Sequence, residues 1–289
     1  MTAISPRGIR SRRDTSPLSR TVVMVLLAVP TVYFLFPLWW LLVAATKPFG
    51  EQFSGSGLWF DGFGLFDNLA RLTAQNDGIF WQWMLNSLLY CGVGAAIGTV
   101  LSAMGGYALA KYDFPGRGAA FGVILAAVLV PKILFTLPLY LMFSGVHLIN
   151  NPLAVLLPSI VSPFGVYLAR VFAAQSVPDE VIEAGRLDGA SEFRIFRAIS
   201  TKMMLPALVT IFLFQFVDIW NNYLLPAMVL GDDHMQPVTV GLVGWNASHV
   251  AVPPSLVVIG SLVSVVPLIV AFLALQRFWR AGMTAGAVK

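Results

Sequence analysis

Charge is what this sequence has least of. Asp, Glu, Lys and Arg make up 11% of its 289 residues, while 57% are hydrophobic. A soluble domain carries about 25% charged residues to cover its surface, so a water-exposed globular fold is excluded. Cysteine is nearly absent. The single Cys91 lies in an apolar segment, which rules out an intrachain disulfide or cysteine metal site and leaves a small packing residue. The three histidines, His147, His234 and His249, lack H-x-x-x-H or H-E-x-x-H partners, so no zinc-hydrolase pattern exists. No G-x-x-x-x-G-K-[ST] phosphate loop occurs, so the sequence carries no P-loop nucleotide site of its own. A membrane-embedded enzyme finds no nucleophile–base or metal constellation here. A gradient-driven secondary transporter would predict an inverted repeat, and the halves show no clear one.

Apolar length is what the chain does have. Thr21–Thr46, Gly78–Ala110, Ile133–Ala169 and His234–Gln276 are free of Asp, Glu, Lys and Arg. A helix crosses the hydrocarbon core in about 20 residues. The reading is an all-α integral membrane protein with six transmembrane helices, at about Thr21–Thr46, Met84–Ala110, Ala119–Phe143, Pro152–Ala173, Leu205–Leu230 and Ser255–Phe278. The first run is too long for a signal-peptide core and shows no small-residue cleavage site, so it is read as a retained helix despite Pro30 and Pro37. This organises the chain as a basic segment 1–20, a first helix 21–46, an outer loop 47–83, a five-helix core 84–279 and a tail 280–289.

Lysines and arginines set the direction. With the N-terminus cytoplasmic, Arg7, Arg10, Arg12, Arg13 and Arg20 lie inside, as do Lys111, Arg117, the basic residues from Arg170 to Lys202, and those of the C-terminus. The outer loops keep only Lys47 and Arg71, and Lys132 is intramembrane. The basic excess is thus a topology signal and requires no nucleic acid. Trp39, Trp40, Trp81, Trp83 and Trp279 read as aromatic belts at the two interfaces. In the second helix, Gly94 and Gly98 stand in G-x-x-x-G spacing, which marks a bundle or dimer face.

The polar interval 175–204 is patterned. Ser176 and Asp179 form a capping-box pair, with Pro178 suited to a first helical turn. Asp188-Gly189 predicts a glycine stop, and Ser191 a second cap. Phe193, Phe196, Ile199 and Met203 then repeat at helical spacing. A helix–turn–helix that passes force to a partner and an amphipathic helix lying on headgroups both fit this pattern.

The wording EAGRLDGAS, Glu183–Ser191, resembles the EAA loop of ABC importer permeases, with Glu183, Ala184 and Gly189 at matching positions. Gly185 replaces the second alanine, and Leu205-Pro206 arrives four residues later than the family's Leu-Pro. Asn86-Ser87, YALAKYDFPGR at Tyr107–Arg117, Pro138-Leu139-Tyr140, WNNYLLP at Trp220–Pro226 and the C-terminal QRFWRAGMTAGAVK look like sugar-importer permeases of maltose-type heterodimeric systems. The resemblance implies a type I ABC importer permease fold. Its coupling helix, with Glu183, Ala184, Gly185, Asp188, Gly189 and Ala190, would dock on an ATPase subunit.

The implied partners are a second permease, two ATPase subunits holding ATP and Mg, and an extracytoplasmic binding protein. The implied cargo is a sugar, with no cofactor on this chain, and the implied location is the bacterial inner membrane with both termini cytoplasmic. An ABC permease for another solute, such as glycerol phosphate, is the alternative. Lys132 and Asp218 lie at similar depth, about halfway along the third and fifth crossings, and read either as an ion pair or as pathway lining. Trp220, Asn221, Asn222 and Tyr223 combine a stacking surface with polar groups that would suit a sugar, or form ordinary interfacial packing.

Overall fold

The structure is a computed structural model that describes residues 17–248 and 252–285. The arginines before Pro17, His249, the side chain of Trp279 and residues 286–289 fall outside that description. All regular structure among the described residues is helical. Among the described residues, four stretches are long and apolar enough to cross a bilayer, and two bent pairs bring the number to six if each pair is one span.

Helix α1, Pro17–Thr46, is exposed from Arg20 through Trp39 and is buried only from Val43 onward. The predicted outer loop contains a helix of its own, α2, Leu65–Ala74, which is amphipathic and buries Asn68 and Leu72. Asn76, Asp77 and Gly78 then take positive φ, and this reversal starts α3, Ile79–Lys111. Its small residues let neighbours close in. A Cβ on Gly94 would stand 2.9 Å from Ile219, and one on Gly106 2.5 Å from both Ala169 Cβ and Arg170 N. The glycine face therefore packs inside the bundle.

The third crossing is not one rod. Helix α4, Arg117–Leu129, breaks at Val130-Pro131, and a 3-10 turn, Lys132–Phe135, leads into α5, Thr136–Gly145, at a bend of 98°. Pro131 has no N–H to donate and drives Val130 to an extended conformation, φ −79° and ψ 124°. The fourth is likewise split into α6, Leu153–Ser159, and α7, Pro163–Ser176. Ser162 caps α7 by accepting from Gly165 N–H at 3.1 Å, and Pro163 stands in its first turn.

After α7 come α8, Asp179–Leu187, and α9, Glu192–Ile195. A π-helical turn, Phe196–Ser200, and α10, Thr201–Met203, follow. The chain bends by 80° at Met204 into α11, Leu205–Trp220. The displaced Leu205-Pro206 sits at that bend. The fifth crossing is interrupted again at Asn221–Tyr223 before α12, Leu224–Val229. Helix α13, Val238–Ala247, lies between the predicted fifth and sixth crossings, and α14, Pro254–Ala285, closes the bundle.

Two cores result. One gathers Phe80, Trp83, Trp220, Trp245 and Ile259 at the end where α3 begins. The other gathers Tyr107, Ala169, Ile182, Ile195, Met204 and Ile211 at the end carrying α8 and α9. Trp83 is thus a core residue and not part of a belt. It is 3% exposed, donates Nε1–H to Asp233 O at 2.7 Å and meets Trp245 edge to face at 4.8 Å. Gly241 makes this possible, since a Cβ there would lie 2.2 Å from the indole.

Candidate coupling hairpin and pathway residues

The α8–α9 hairpin is defined by its ends. Ser176 does not cap α8, because it is the last residue of α7. Val177, preceding a proline, is extended at φ −115° and ψ 101°, and Pro178 takes the cap position. Asp179 and Glu180 occupy the first turn, where carboxylates suit the positive end of the helix dipole. At the far end Gly189 adopts φ 74°. Its N–H donates to Arg186 O and that of Ala190 to Gly185 O, both at 3.0 Å, which satisfies the last carbonyls of the helix. Ser191 caps α9, accepting from Arg194 N–H at 3.4 Å.

This turn presents Glu183, Ala184, Asp188 and Gly189 to solvent, with Ala190 half-buried against the core below. Two apolar side chains that the sequence did not single out project beside them: Leu187, 90% exposed, and Phe193, 63% exposed. Gly185 points the other way. A Cβ there would stand 3.1 Å from Ile195 Cγ1 and 3.6 Å from Ile199 Cδ1, so glycine at this position draws the two helices together. The buried line of the second helix also differs from the predicted Phe193, Phe196, Ile199, Met203 face. It runs through Ile195, Ser200 and Met204, with Phe196 and Ile199 half-buried beside it, and the π turn accounts for the five-residue step from Ile195 to Ser200.

Both helices are held to the end of α3. Lys111 Nζ pairs with Asp179 Oδ1 at 2.7 Å, Tyr112 Oη donates to Glu192 Oε2 at 2.6 Å, and Arg186 Nε donates to Glu192 Oε1 at 2.6 Å. The Arg186 guanidinium first, and then the Tyr112 hydroxyl, hold the Glu192 carboxyl below its ordinary 4.5. A carboxyl lowered in the folded state contributes stability above its unfolded value and loses it as pH falls through the folded one. The contact therefore stays intact at neutral pH. Burial, followed by the bond to Glu192, pushes the Tyr112 phenol up.

The second candidate set meets at the two breaks. Lys132 and Asp218 form an ion pair, and both side chains remain exposed, 70% and 50%. They are not mid-helix. Lys132 opens the 3-10 turn after Pro131, and Asp218 lies in the last turn of α11. A carboxylate there opposes the helix dipole, and the lysine offsets it. Tyr223 is 41% exposed, and exposed Asn221 donates Nδ2–H to Val217 O at 2.9 Å. Asn222 is half-buried. Trp220 is 4% exposed and stacks on Phe216 at 5.9 Å, so its ring belongs to the core and offers no open stacking surface.

Gly189→Val is expected to destabilise this turn. Nothing lies within 4 Å of the new Cβ, so the cost is purely conformational, about 1–2 kcal/mol for a side chain held left-handed. Measured by thermal melting of the purified chain in detergent, Gly189→Asn should keep most of the stability that valine loses. Equal melting temperatures for glycine and valine would remove the turn argument.

Residues 98–284 match the family described as binding-protein-dependent transport system inner membrane component. The chain is 33% identical to the arabinooligosaccharides transport system permease protein AraQ of Halalkalibacterium halodurans, over 96% of this chain and 99% of that protein. It is 31% identical to the lactose transport system permease protein LacG of Rhizobium radiobacter, over 88% and 91%. Its fold is that of a chain in a bacterial ABC transporter involved in the import of the acidic polysaccharide alginate, with TM-score 0.77, 21% identity, and coverage of 92% of this chain and 99% of the other. This all-helical, multi-pass chain with a type I ABC importer permease fold belongs to the family of binding-protein-dependent transport system inner membrane components.

Proposed function

We propose that this chain is half of the translocation pathway of an ATP-driven sugar importer, with the α8–α9 hairpin as its coupling element. The observation that carries the reading is the hairpin's exposed turn. Glu183, Ala184 and Leu187 stand free on one side, while Gly185 locks the other side to α9. A capped, rigid peg carrying the carboxylates of Glu183 and Asp188 beside the apolar Leu187 and Phe193 suits insertion into a groove of an ATPase subunit. The hairpin end is then cytoplasmic, together with both termini, as the distribution of lysine and arginine supports. A second permease completes the pathway, two ATPase subunits hold ATP and Mg, and a binding protein delivers the cargo from outside.

The cargo class follows the relatives, whose names specify arabinooligosaccharides and lactose. Lys132, Asp218, Asn221 and Tyr223 are the groups we assign to the pathway, with Asn222 behind them. Their ammonium, carboxylate, amide and phenol groups can donate to and accept from sugar hydroxyls. ATP closes the ATPase pair, the hairpins move with it, and the bundles expose the pathway outward; hydrolysis returns it inward. Such coupling requires the solute to interact differently with the two states.

The test is uptake into proteoliposomes holding the complete transporter, with ATP inside and arabinotriose, lactose, raffinose and sn-glycerol 3-phosphate as probes. ATP-dependent uptake of a saccharide, with the preference altered by Asp218→Asn, is expected. Uptake of glycerol phosphate alone would overturn the sugar assignment. Uptake that follows an ion gradient without ATP would overturn the importer reading.

A further inference from the structure

The hairpin has only two covalent links to the bundle, and both are weak points for transmitting force. It leaves α7 through the extended Val177-Pro178 and joins α11 through the 80° bend at Met204. Joined only there, it could pivot while the rest of the bundle stayed still.

The end of α3 removes that freedom. Lys111 is the last residue of the helix, and Tyr112 is its C-cap, extended at φ −112° and ψ 140°, so the adjacent side chains diverge. Lys111 reaches the first turn of α8 at Asp179, 68 residues away, and Tyr112 reaches the first turn of α9 at Glu192, 80 residues away. Arg186 joins the two hairpin helices at the same carboxylate. One turn back, the Tyr107 ring lies 5.1 Å from Phe196 and 5.8 Å from Tyr112. The Lys111 side chain is only 7% exposed, so its path to Asp179 is set by packing. Exposed ion pairs contribute little to global stability. The Lys111–Asp179 ion pair and the Tyr112–Glu192 hydrogen bond, one at the start of each hairpin helix, are better suited to fixing orientation.

We propose that Lys111 and Tyr112 are positioning residues that make the hairpin and α3 one moving body, so that displacement at the ATPase reaches the pathway wall directly. Helix α3 is suited to this role because its glycine face lies against Gln215 and Ile219 of α11, on either side of Asp218 in sequence. The inference rests on the docking of the hairpin on an ATPase subunit.

The test is a spin-label distance measured within this chain, in the complete transporter with its ATPase. Labels go at Met104→Cys on α3, 46% exposed, and at Ala198→Cys on the exposed side of the π turn, with Cys91→Ser. With Lys111 and Tyr112 intact, the distance distribution is expected to be equally narrow with and without ATP plus vanadate. In Lys111→Gln/Tyr112→Phe it should broaden at least twofold or shift when ATP and vanadate are added, with the ATPase still co-purifying. Exchange of the pair, Lys111→Asp with Asp179→Lys, should restore the narrow distribution, which a loss of folding would not allow. An unchanged distribution in the double variant, or a nucleotide-dependent shift with the clamp intact, would overturn the proposal. Absence of any ATPase from the unmutated complex would instead overturn the docking reading, and the proposal with it.

Discussion

Glu183→Arg is expected to strip the ATPase from the purified complex and to reduce uptake to background. Glu183 is exposed and makes no ion pair among the described residues, so nothing in the chain's own fold depends on its sign. Reversing a charge within a docked contact costs about 3 kcal/mol or more, roughly a hundredfold in affinity. The purified chain should therefore keep its melting temperature while losing its partner. Glu51→Arg, in the segment after α1 and remote from the hairpin, serves as the control and should co-purify normally. Full retention of the ATPase by Glu183→Arg would place docking elsewhere on the molecule. Leu187 would be the next residue to test, because a large apolar side chain 90% exposed at a turn has no structural use within this chain.

The second large effect lies inside the bundle. Gly106→Val should prevent α3 and α7 from closing. The contact at Gly106 includes Arg170 N, a backbone atom that cannot rotate away, as well as Ala169 Cβ, both at 2.5 Å from an added Cβ. Overpacking costs typically 1–3 kcal/mol, and where backbone must move the upper end applies, which lowers the melting temperature by roughly 10 °C. The adjacent Gly105→Ala is the control, since its Cβ would meet Val166 at an ordinary 3.5 Å, and Gly92→Ala meets nothing within 4 Å. Both should melt close to the parent in detergent. If Gly106→Val melts there too, α3 and α7 are not packed as described.

The two experiments probe features that differ in how legible they were. The turn at Asp188-Gly189 and the cap at Ser191 are local. A few consecutive residues set the backbone conformation, so residue type alone predicted them. The glycine face of α3 was legible as a face, but not its partner. Pro131 and Pro163 were visible as prolines, yet whether a membrane helix bends at a proline depends on which neighbours donate to the carbonyl it frees. The third crossing broke there by 98°, and this moved Lys132 from mid-helix to a break. Asp218 reads as mid-crossing for a related reason: Leu205–Leu230 is long enough for one span, and its few polar residues, Gln215, Asp218, Asn221 and Asn222, do not by themselves mark the interruption at Asn221–Tyr223.

Aromatic residues show the same limit. Trp83 and Trp220 carry belt-like or stacking chemistry in the sequence, and both are buried, because Gly241 and Phe216 supply the space and the surface that receive them. The clamp was the least visible feature of all. YALAKYDFPGR was recognisable as a resemblance, but nothing along the chain pairs Lys111 with Asp179 or Tyr112 with Glu192.

The sequence by itself determined the solvent, the helical class, the places where the hairpin turns and the family to which the chain belongs. The length of an apolar run, the conformational freedom of glycine and the capping chemistry of serine act over a few residues and do not depend on the rest of the fold. Only the tertiary structure decided which way Gly185 faces, which tryptophans are buried, where the third and fifth crossings bend, and that the end of α3 holds both hairpin helices. Those outcomes depend on side chains tens of residues apart arriving at one place, and close packing, not local chemistry, brings them there.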